Sequence, residues 1–345
     1  MAPVTLKDIA KLAGVDKSTV SMTLNNHPNA ATLREETRAR IRRIADELGY
    51  RGNANAIAIR TGRVNMIALI IEASNQSSLT RHIATILEEA SFCGYSIKIF
   101  SDKNLENTFE EIHSCRITKI LAMSSREEPR NRISTFAARL KLDLVFLFEH
   151  PHNGFPCVTL DNEKAGIMAV QHLASLGHRK IAMCCSPLKY YYQKERLAGY
   201  LAGMRAVGLE VQDEWVNFSD CYDEVARSFL QLPSRIRPTA FYCIADGIGL
   251  RIQHQALRLG YAIPEDFSVC GFGNLDLCGC AYAPLTSIDE SWQERGKAAV
   301  HLLLGKIPAK EIPEDKYIKI APTLVVREST APCREKKEKI SGRAI

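Results

Sequence analysis

Residues 5–26 read TLKDIAKLAGVDKSTVSMTLNN, and this stretch decides what kind of domain opens the chain. Leu6, Ile9, Ala10 and Ala13 recur at the spacing of one helical face. Thr5, followed three residues later by Asp8, resembles a capping box with Asp in place of Glu. Gly14 ends this helix, because the turn needs a positive φ. Asp16 is placed to cap a second helix. In that helix Val20 and Leu24 point inward, while Lys17, Ser18, Ser21, Met22 and Asn25 fall on the other side. Apart from Met22, the outer face is small or polar, which suits approach to another surface. A third helix runs from about Arg34 to Leu48 and ends at Gly49. It buries Ile41, Ile44, Ala45 and Leu48, and leaves Arg38, Arg42 and Arg43 off the stripe. Helix, glycine turn, helix and supporting helix predict a helix-turn-helix. A purely structural three-helix bundle is the bland alternative.

The charge distribution points the same way. The 345 residues carry a formal charge of +6. Residues 1–63 hold eleven Lys/Arg against six Asp/Glu, and residues 331–345 hold five against two, so the long middle is near neutral at −2. A basic head on a neutral body fits a polyanion-binding module joined to something else. At this length two or three folding units are expected. No run of 18 apolar residues predicts a membrane span, and the first residues lack the apolar stretch of a signal peptide. Eleven cysteines are many, but Cys184, Cys243 and Cys270 lie inside apolar runs. Cys184–Cys185 and Cys278-Gly-Cys280 are too close for a zinc knuckle. Buried reduced thiols are the expectation, with no metal and no cofactor.

From Val64 the pattern changes. VNMIALII, YSIKIF, ITKILAM and LDLVFLF are short apolar runs separated by helical stretches. After CVTLDN the alternation restarts with HRKIAMCC, TAFYCIA and FSVCGF. Strands alternating with helices predict parallel sheets, and two such series predict two Rossmann-like subdomains. No Gly-x-Gly-x-x-Gly follows a strand, which argues against a dinucleotide site. Nor is there a Gly-x-Ser-x-Gly, a Walker loop or a His-Glu-x-x-His, so no enzyme is expected. The tail APCREKKEKISGRAI is polar and basic and lacks the leucine heptads of a tetramerising helix.

TLKDIAKLAGV…STVS…LN, followed by REETRARI…ADELGYRGNANA and RTGR, resembles the DNA-binding head of the lac repressor family of bacterial transcription regulators. VTLDNEKAG…HLASLGHRKIAM, KERLAGYLAGM, PTAFYCIADGIG, LGYAIPEDFSVCGFGN and PLTSID are similar to that family's type I periplasmic-binding-protein core. The resemblance implies a helix-turn-helix domain over 1–52, a hinge helix or linker over 53–63 and an effector-binding, dimerising core over 64–330. It implies one subdomain of about 64–160 and 290–317 and another of about 161–289 and 318–330, with residues 331–345 as a basic tail.

For the head, the resemblance puts Lys17, Ser18 and Met22 at base edges and Thr5, Thr19, Ser21 and Asn25 at phosphates. Asn53 would cap the hinge helix, and Ile59 would be its minor-groove wedge. In the cleft between subdomains, Asn75, Arg196, Asp246 and Asn274 would face a small-molecule effector, a sugar or sugar derivative. The sequence also departs from the family pattern. Position 22 is commonly Arg and is Met22 here. The loop HPNAATL is two or three residues longer, Gly52 replaces a proline and Ile57 stands where Arg is frequent. Ala245 and Gly273 stand where Asn and Asp are common.

The resulting expectation is a cytoplasmic, nucleoid-bound homodimeric repressor on a near-palindromic double-stranded operator. A solute-binding receptor without gene regulation is the competing class. An enzyme on the same α/β core is a third.

Overall fold

The computed structural model describes residues 4–24, 28–50, 64–72, 78–219 and 221–334. The chain divides into two compact units, Met1–Val64 and Asn65–Ile345.

Among the described residues of the first unit, three α-helices form a head: α1 (Leu6–Ala13), α2 (Lys17–Leu24) and α3 (Glu35–Glu47). At the start of α1 the Asp8 carboxylate accepts from both the backbone N–H and the hydroxyl of Thr5, at 2.8 and 2.7 Å. These bonds hold Asp8 below the usual carboxylate range. Gly14 closes α1 at φ +62°, as its position after the apolar stripe predicts. Ile9, Ala13, Val20, Ile41 and Ala45 meet in one small core. A 3-10 turn, Pro28–Thr32, lies in the lengthened loop and packs against α2.

The second unit contains two six-stranded sheets. The first joins β1 (Met66–Ile71), β2 (Ser96–Ser101), β3 (Lys119–Met123), β4 (Asp143–Leu147), β5 (Cys157–Leu160) and β11 (Tyr317–Ile320), in the order β11-β5-β4-β3-β1-β2. The second joins β6 (Ile181–Cys184), β7 (Val216–Asn217), β8 (Ala240–Cys243), β9 (Ser268–Phe272), β10 (Thr286–Asp289) and β12 (Thr323–Val325), in the order β12-β10-β9-β8-β6-β7. All pairings are parallel except β10 with β12. The runs KILAM and AFYC are almost wholly buried, which is what strands covered by helices on both faces require.

On the first sheet, α4 (Ser78–Phe92) and α11 (Trp292–Leu303) cover one face, while α5 (Leu105–Ser114) and α6 (Glu127–Leu140) cover the other. The second sheet carries α7 (Asn162–Ser175), α8 (Tyr191–Ala206), α9 (Tyr222–Gln231) and α10 (Asp246–Arg258). The helix near 290–305 therefore belongs with the first sheet, although it follows the second in sequence.

The chain crosses between subdomains after Leu160, after Asp289 and after Ile320. The third crossing corrects the expected boundary at 317/318. β11 pairs along its whole length with β5 (Tyr317 opposite Cys157, Ile320 opposite Leu160), so the first subdomain keeps residues up to 320. Cys184, Cys243 and Cys270 are fully buried thiols in the second sheet.

One helix pair sets the geometry of the cleft. Helices α7 and α8 pack at backbone contact, because Gly199 lies where a Cβ would sit 2.1 Å from the Glu163 carbonyl oxygen. Across the same contact, a Cβ on Gly166 would sit 2.7 Å from the Arg196 carbonyl oxygen. This close approach brings Asn162, at the start of α7, against Arg196 on α8.

Candidate functional site

The head presents one polar surface at the start of α2. Lys17 and Ser18 are exposed, and Thr19 and Met22 are half-buried. Thr5 is also exposed, with its hydroxyl turned to Asp8. Ser21 departs from expectation: it is only 9% exposed. It therefore joins the inner side of α2 with Val20 and the fully buried Thr23, whose hydroxyl donates to the Thr19 carbonyl at 2.9 Å. A helix this short, flanked by both α1 and the 3-10 turn, has little free circumference, so the outer face narrows to Lys17, Ser18, Thr19 and Met22. The expected contacts Asn25, Asn53, Ile59 and Asn75 lie outside the described residues.

In the second unit a cavity of about 570 Å³ opens between the two sheets. Part of its wall comes from residues just past strand C-termini: Ser125 two residues after β3, Phe148 after β4, Ile244 after β8, Gly273 after β9 and Glu290 after β10. Parallel α/β sheets place their ligand crevices at these strand ends.

Arg196 lies on the wall, 7% exposed. Its Nε donates to Asn162 Oδ1 at 2.9 Å, Nη1 to the Ile244 carbonyl at 2.7 Å and Nη2 to Glu290 Oε1 at 3.4 Å. The guanidinium lies 3.3 Å from the centroid of the Phe272 ring and 4.9 Å from that of Tyr192. Glu290 also accepts from Arg295 Nη1 at 2.9 Å and faces His82 Nε2 at 3.6 Å. Burial alone would push the Glu290 carboxyl up, but His82 and the two guanidiniums hold it well below the usual range. Burial, followed by the charge of Arg295, pulls His82 down to about 4, so near neutrality it is an uncharged ring.

The other expected cleft residues are placed differently. Asp246 is buried at the start of α10 and lines the cavity, but Oδ1 accepts from the Ser287 hydroxyl at 2.6 Å and Oδ2 from the Leu275 amide at 2.8 Å. It braces the loop after β9 against strand β10. Asn274 is not among the residues lining the cavity. It sits at φ +48° with Nδ2 on Asp289 at 2.6 Å and Oδ1 on Arg327 at 2.6 Å. Its carbonyl accepts from Arg81 of α4 at 2.9 Å, a bond that joins the two subdomains. Gly273, directly before Asn274, sits at φ +127°, a conformation L side chains rarely adopt, and a Cβ there would lie 3.0 Å from Asp246 Oδ2.

Glu290, Arg295, Tyr192 and Phe272 are cleft residues that sequence reasoning missed. Their only signal is position directly after an apolar run or one helical turn into the next helix, and many residues share it. Glu149, also missed, lies behind the cleft. Its Oε2 accepts from the Tyr191 amide at 3.0 Å, linking the first subdomain to the start of α8, and Oε1 is buried without a hydrogen-bond partner. Elsewhere, Glu89, Cys93 and His301 bring three metal-ligating atoms within 4.8 Å of one another. Lys306 Nζ stands 2.9 Å from the Cys93 sulfur, so a cation there competes with a fixed ammonium. Among the described residues, no helix is long and apolar enough to cross a membrane.

Comparison with known proteins agrees with both halves. Residues 5–53 match the bacterial regulatory proteins of the lacI family, and residues 170–330 match a periplasmic binding protein-like domain. The HTH-type transcriptional repressor PurR of Mannheimia succiniciproducens is 28% identical over 337 residues, covering 94% of this chain and 98% of that protein. The NTD biosynthesis operon regulator NtdR of Bacillus subtilis is 29% identical over 334 residues, covering 94% and 99%. A lac repressor dimer bound to operator and the anti-inducer ONPF superposes with a TM-score of 0.75 at 22% identity, over 95% of this chain and 99% of that one. A CelR–cellobiose complex superposes at 0.65 with 24% identity, over 94% and 99%. These last two likenesses concern the fold.

Proposed function

The chain belongs to the lacI family of bacterial regulatory proteins, as a DNA-binding transcription regulator rather than an enzyme, and we propose how its two units divide the work. The head reads double-stranded DNA through the outer face of α2. Lys17 and Ser18 reach base edges, Met22 offers apolar contact such as with a thymine methyl, and Thr5 and Thr19 lie toward the backbone. Asn25, Asn53 and Ile59 extend this surface by resemblance to the family. Two chains form a homodimer, each head reads a half-site, and the operator is a near-palindrome. The protein acts in the cytoplasm, where that DNA is.

The cavity between the sheets holds a small-molecule effector of the carbohydrate class, against Arg196. Binding changes the angle between subdomains and thereby the operator affinity. The observation that carries this reading is the buried Arg196 on the wall of a crevice at the strand C-termini, in the same chain as a capped helix-turn-helix head. A solute receptor would have no use for the basic head.

Fluorescence anisotropy with genomic fragments and scrambled duplexes tests the DNA half. The expected result is one strongly preferred palindromic site at moderate salt. Equal affinity for scrambled duplexes would sink sequence-specific regulation. Repeating the titration with candidate ligands tests the effector half, which fails if no ligand that binds the core alters operator affinity.

A further inference from the structure

The charged side chains that line the cavity are unequal in sign: Lys189, Arg196, Arg251 and Arg295 against Asp246 and Glu290. Four of its side chains carry carbonyl-type oxygens, Asn162, Gln193, Asp246 and Glu290, each already accepting within the protein, and the other side-chain acceptors are hydroxyls, which also donate. Asn162 Oδ1 accepts from Arg196. Gln193 Oε1 takes the amides of Lys189 and Tyr190, at 2.8 and 3.0 Å. Asp246 is held by Ser287 and Leu275, and Glu290 by Arg196 and Arg295. Ala245 and Gly273 add no further side-chain acceptor, and the left-handed backbone at Gly273 disfavours one. The same walls carry Lys189, Arg196, Arg251 and Arg295, whose charged groups donate and never accept.

Donor capacity is left over. The hydrogen bonds of Arg196 use one N–H each on Nε, Nη1 and Nη2, out of the five that a guanidinium has. Arg295 reaches Glu290 through Nη1 alone, and its Nε is buried without a partner. Each hydroxyl of a neutral sugar brings a proton that needs an acceptor. A phosphate, sulfate or carboxylate brings acceptors only, and guanidinium forks match it with charge-assisted bonds.

We propose that the effector carries an oxyanion group, seated against Arg196 and Arg295 with Arg251 at the rim. This rests on the reading that the cavity is the effector site, and it narrows the ligand from carbohydrates in general to acidic ones: sugar phosphates, sugar sulfates or sugar acids.

The test is calorimetric titration of the full-length protein with matched sets, each a hexose, its 6-phosphate, its 6-sulfate and the corresponding uronate. Inorganic phosphate and sulfate serve as minimal probes. The expected result is that at least one acidic member binds about tenfold or more tighter than its neutral parent, with affinity falling as salt rises. Arg251→Ala should weaken the acidic ligand by roughly threefold or more, a larger loss than it causes for the neutral parent. The acidic member that binds best identifies the anion.

Neutral members binding as tightly as acidic ones overturn the proposal while leaving a carbohydrate effector in place. Acidic binding unmoved by both Arg251→Ala and Arg196→Lys places the anion elsewhere and overturns it too, as does the absence of binding by every acidic member and both inorganic probes. Acidic ligands that bind through these arginines without altering operator affinity support the anion site and refute its regulatory role.

Discussion

Two single residues make opposite kinds of test. Met22 stands half-buried on the outer face of α2, where the family commonly has Arg. Replacing it by Arg restores a bidentate donor for guanine, so Met22→Arg should change the preferred base at one half-site position by roughly 1–3 kcal/mol. Selection from random duplexes reads this directly, and the same site recovered for both proteins would place residue 22 away from the bases. Glu149 tests the body. Burial raises its carboxyl from an ordinary 4.5 to about 7, with Arg130 opposing. A folded-state value above the unfolded one contributes stability fully below about pH 4.5, and that contribution is lost as pH rises through 7. Thermal melts of Glu149→Gln should therefore show a pH dependence between 5 and 8 flatter by on the order of 2 kcal/mol. An unchanged slope would mean that the carboxyl is ionised in the fold at neutral pH. At this scale the sequence was only partly readable. Arg196 was singled out only through the resemblance of KERLAGY to the family's core, and its side chain does line the cavity. Asn274 was not, since the left-handed backbone there turns its carboxamide to Asp289 and Arg327 rather than the cavity.

The element that most directly joins fold to site is the α7–α8 contact. Gly199→Ala would put a methyl group 2.1 Å from the Glu163 carbonyl oxygen, and backbone cannot yield as a side-chain tip can. The helices must separate, at a cost of roughly 1–3 kcal/mol or more, and the Asn162–Arg196 bond goes with them. Urea unfolding should show the loss of stability and calorimetry a loss of ligand affinity. Full stability in the alanine variant would mean that the contact is looser than the glycines require. Elements of this kind differ in how clearly the chain announces them. The central strands were plain as uninterrupted apolar runs between helical stretches. The edge strands were not: β7 has two residues, and Tyr317–Ile320 alternates with a lysine and is only half-buried. An edge strand is defined by pairing with a distant partner, here Cys157–Leu160, which local composition does not encode. The same reason hid Glu290 and Arg295, whose roles arise only when the chain's second crossing brings them beneath Arg196.

For the whole molecule, the decisive quantity is how two heads act as one. Residues 1–63 carry a net +5, so under the proposed dimer on a palindromic site two heads would displace counterions together. The log of affinity should fall with the log of salt at roughly 0.9 per phosphate neutralised, for a total slope of several units. That steepness needs a dimer, and the second unit has apolar surface to make one. Phe92, at the end of α4, is 86% exposed. Leu277 and Tyr282 are also exposed, and they flank the turn whose Asp276 pairs with Arg81 near the start of the same helix. Phe92 is the most exposed large apolar side chain among the described residues, and such exposed apolar surface marks where a partner can dock. Phe92→Glu would place a charge in any interface formed there, where an unpaired buried charge is strongly unfavourable. The expected outcome is a monomer by light scattering, with the head still folded and non-specific DNA affinity nearly kept. Specific affinity would drop toward that of a single head, and the salt slope would fall by about half. A Phe92→Glu protein that remains dimeric and keeps the full slope would move the interface away from α4.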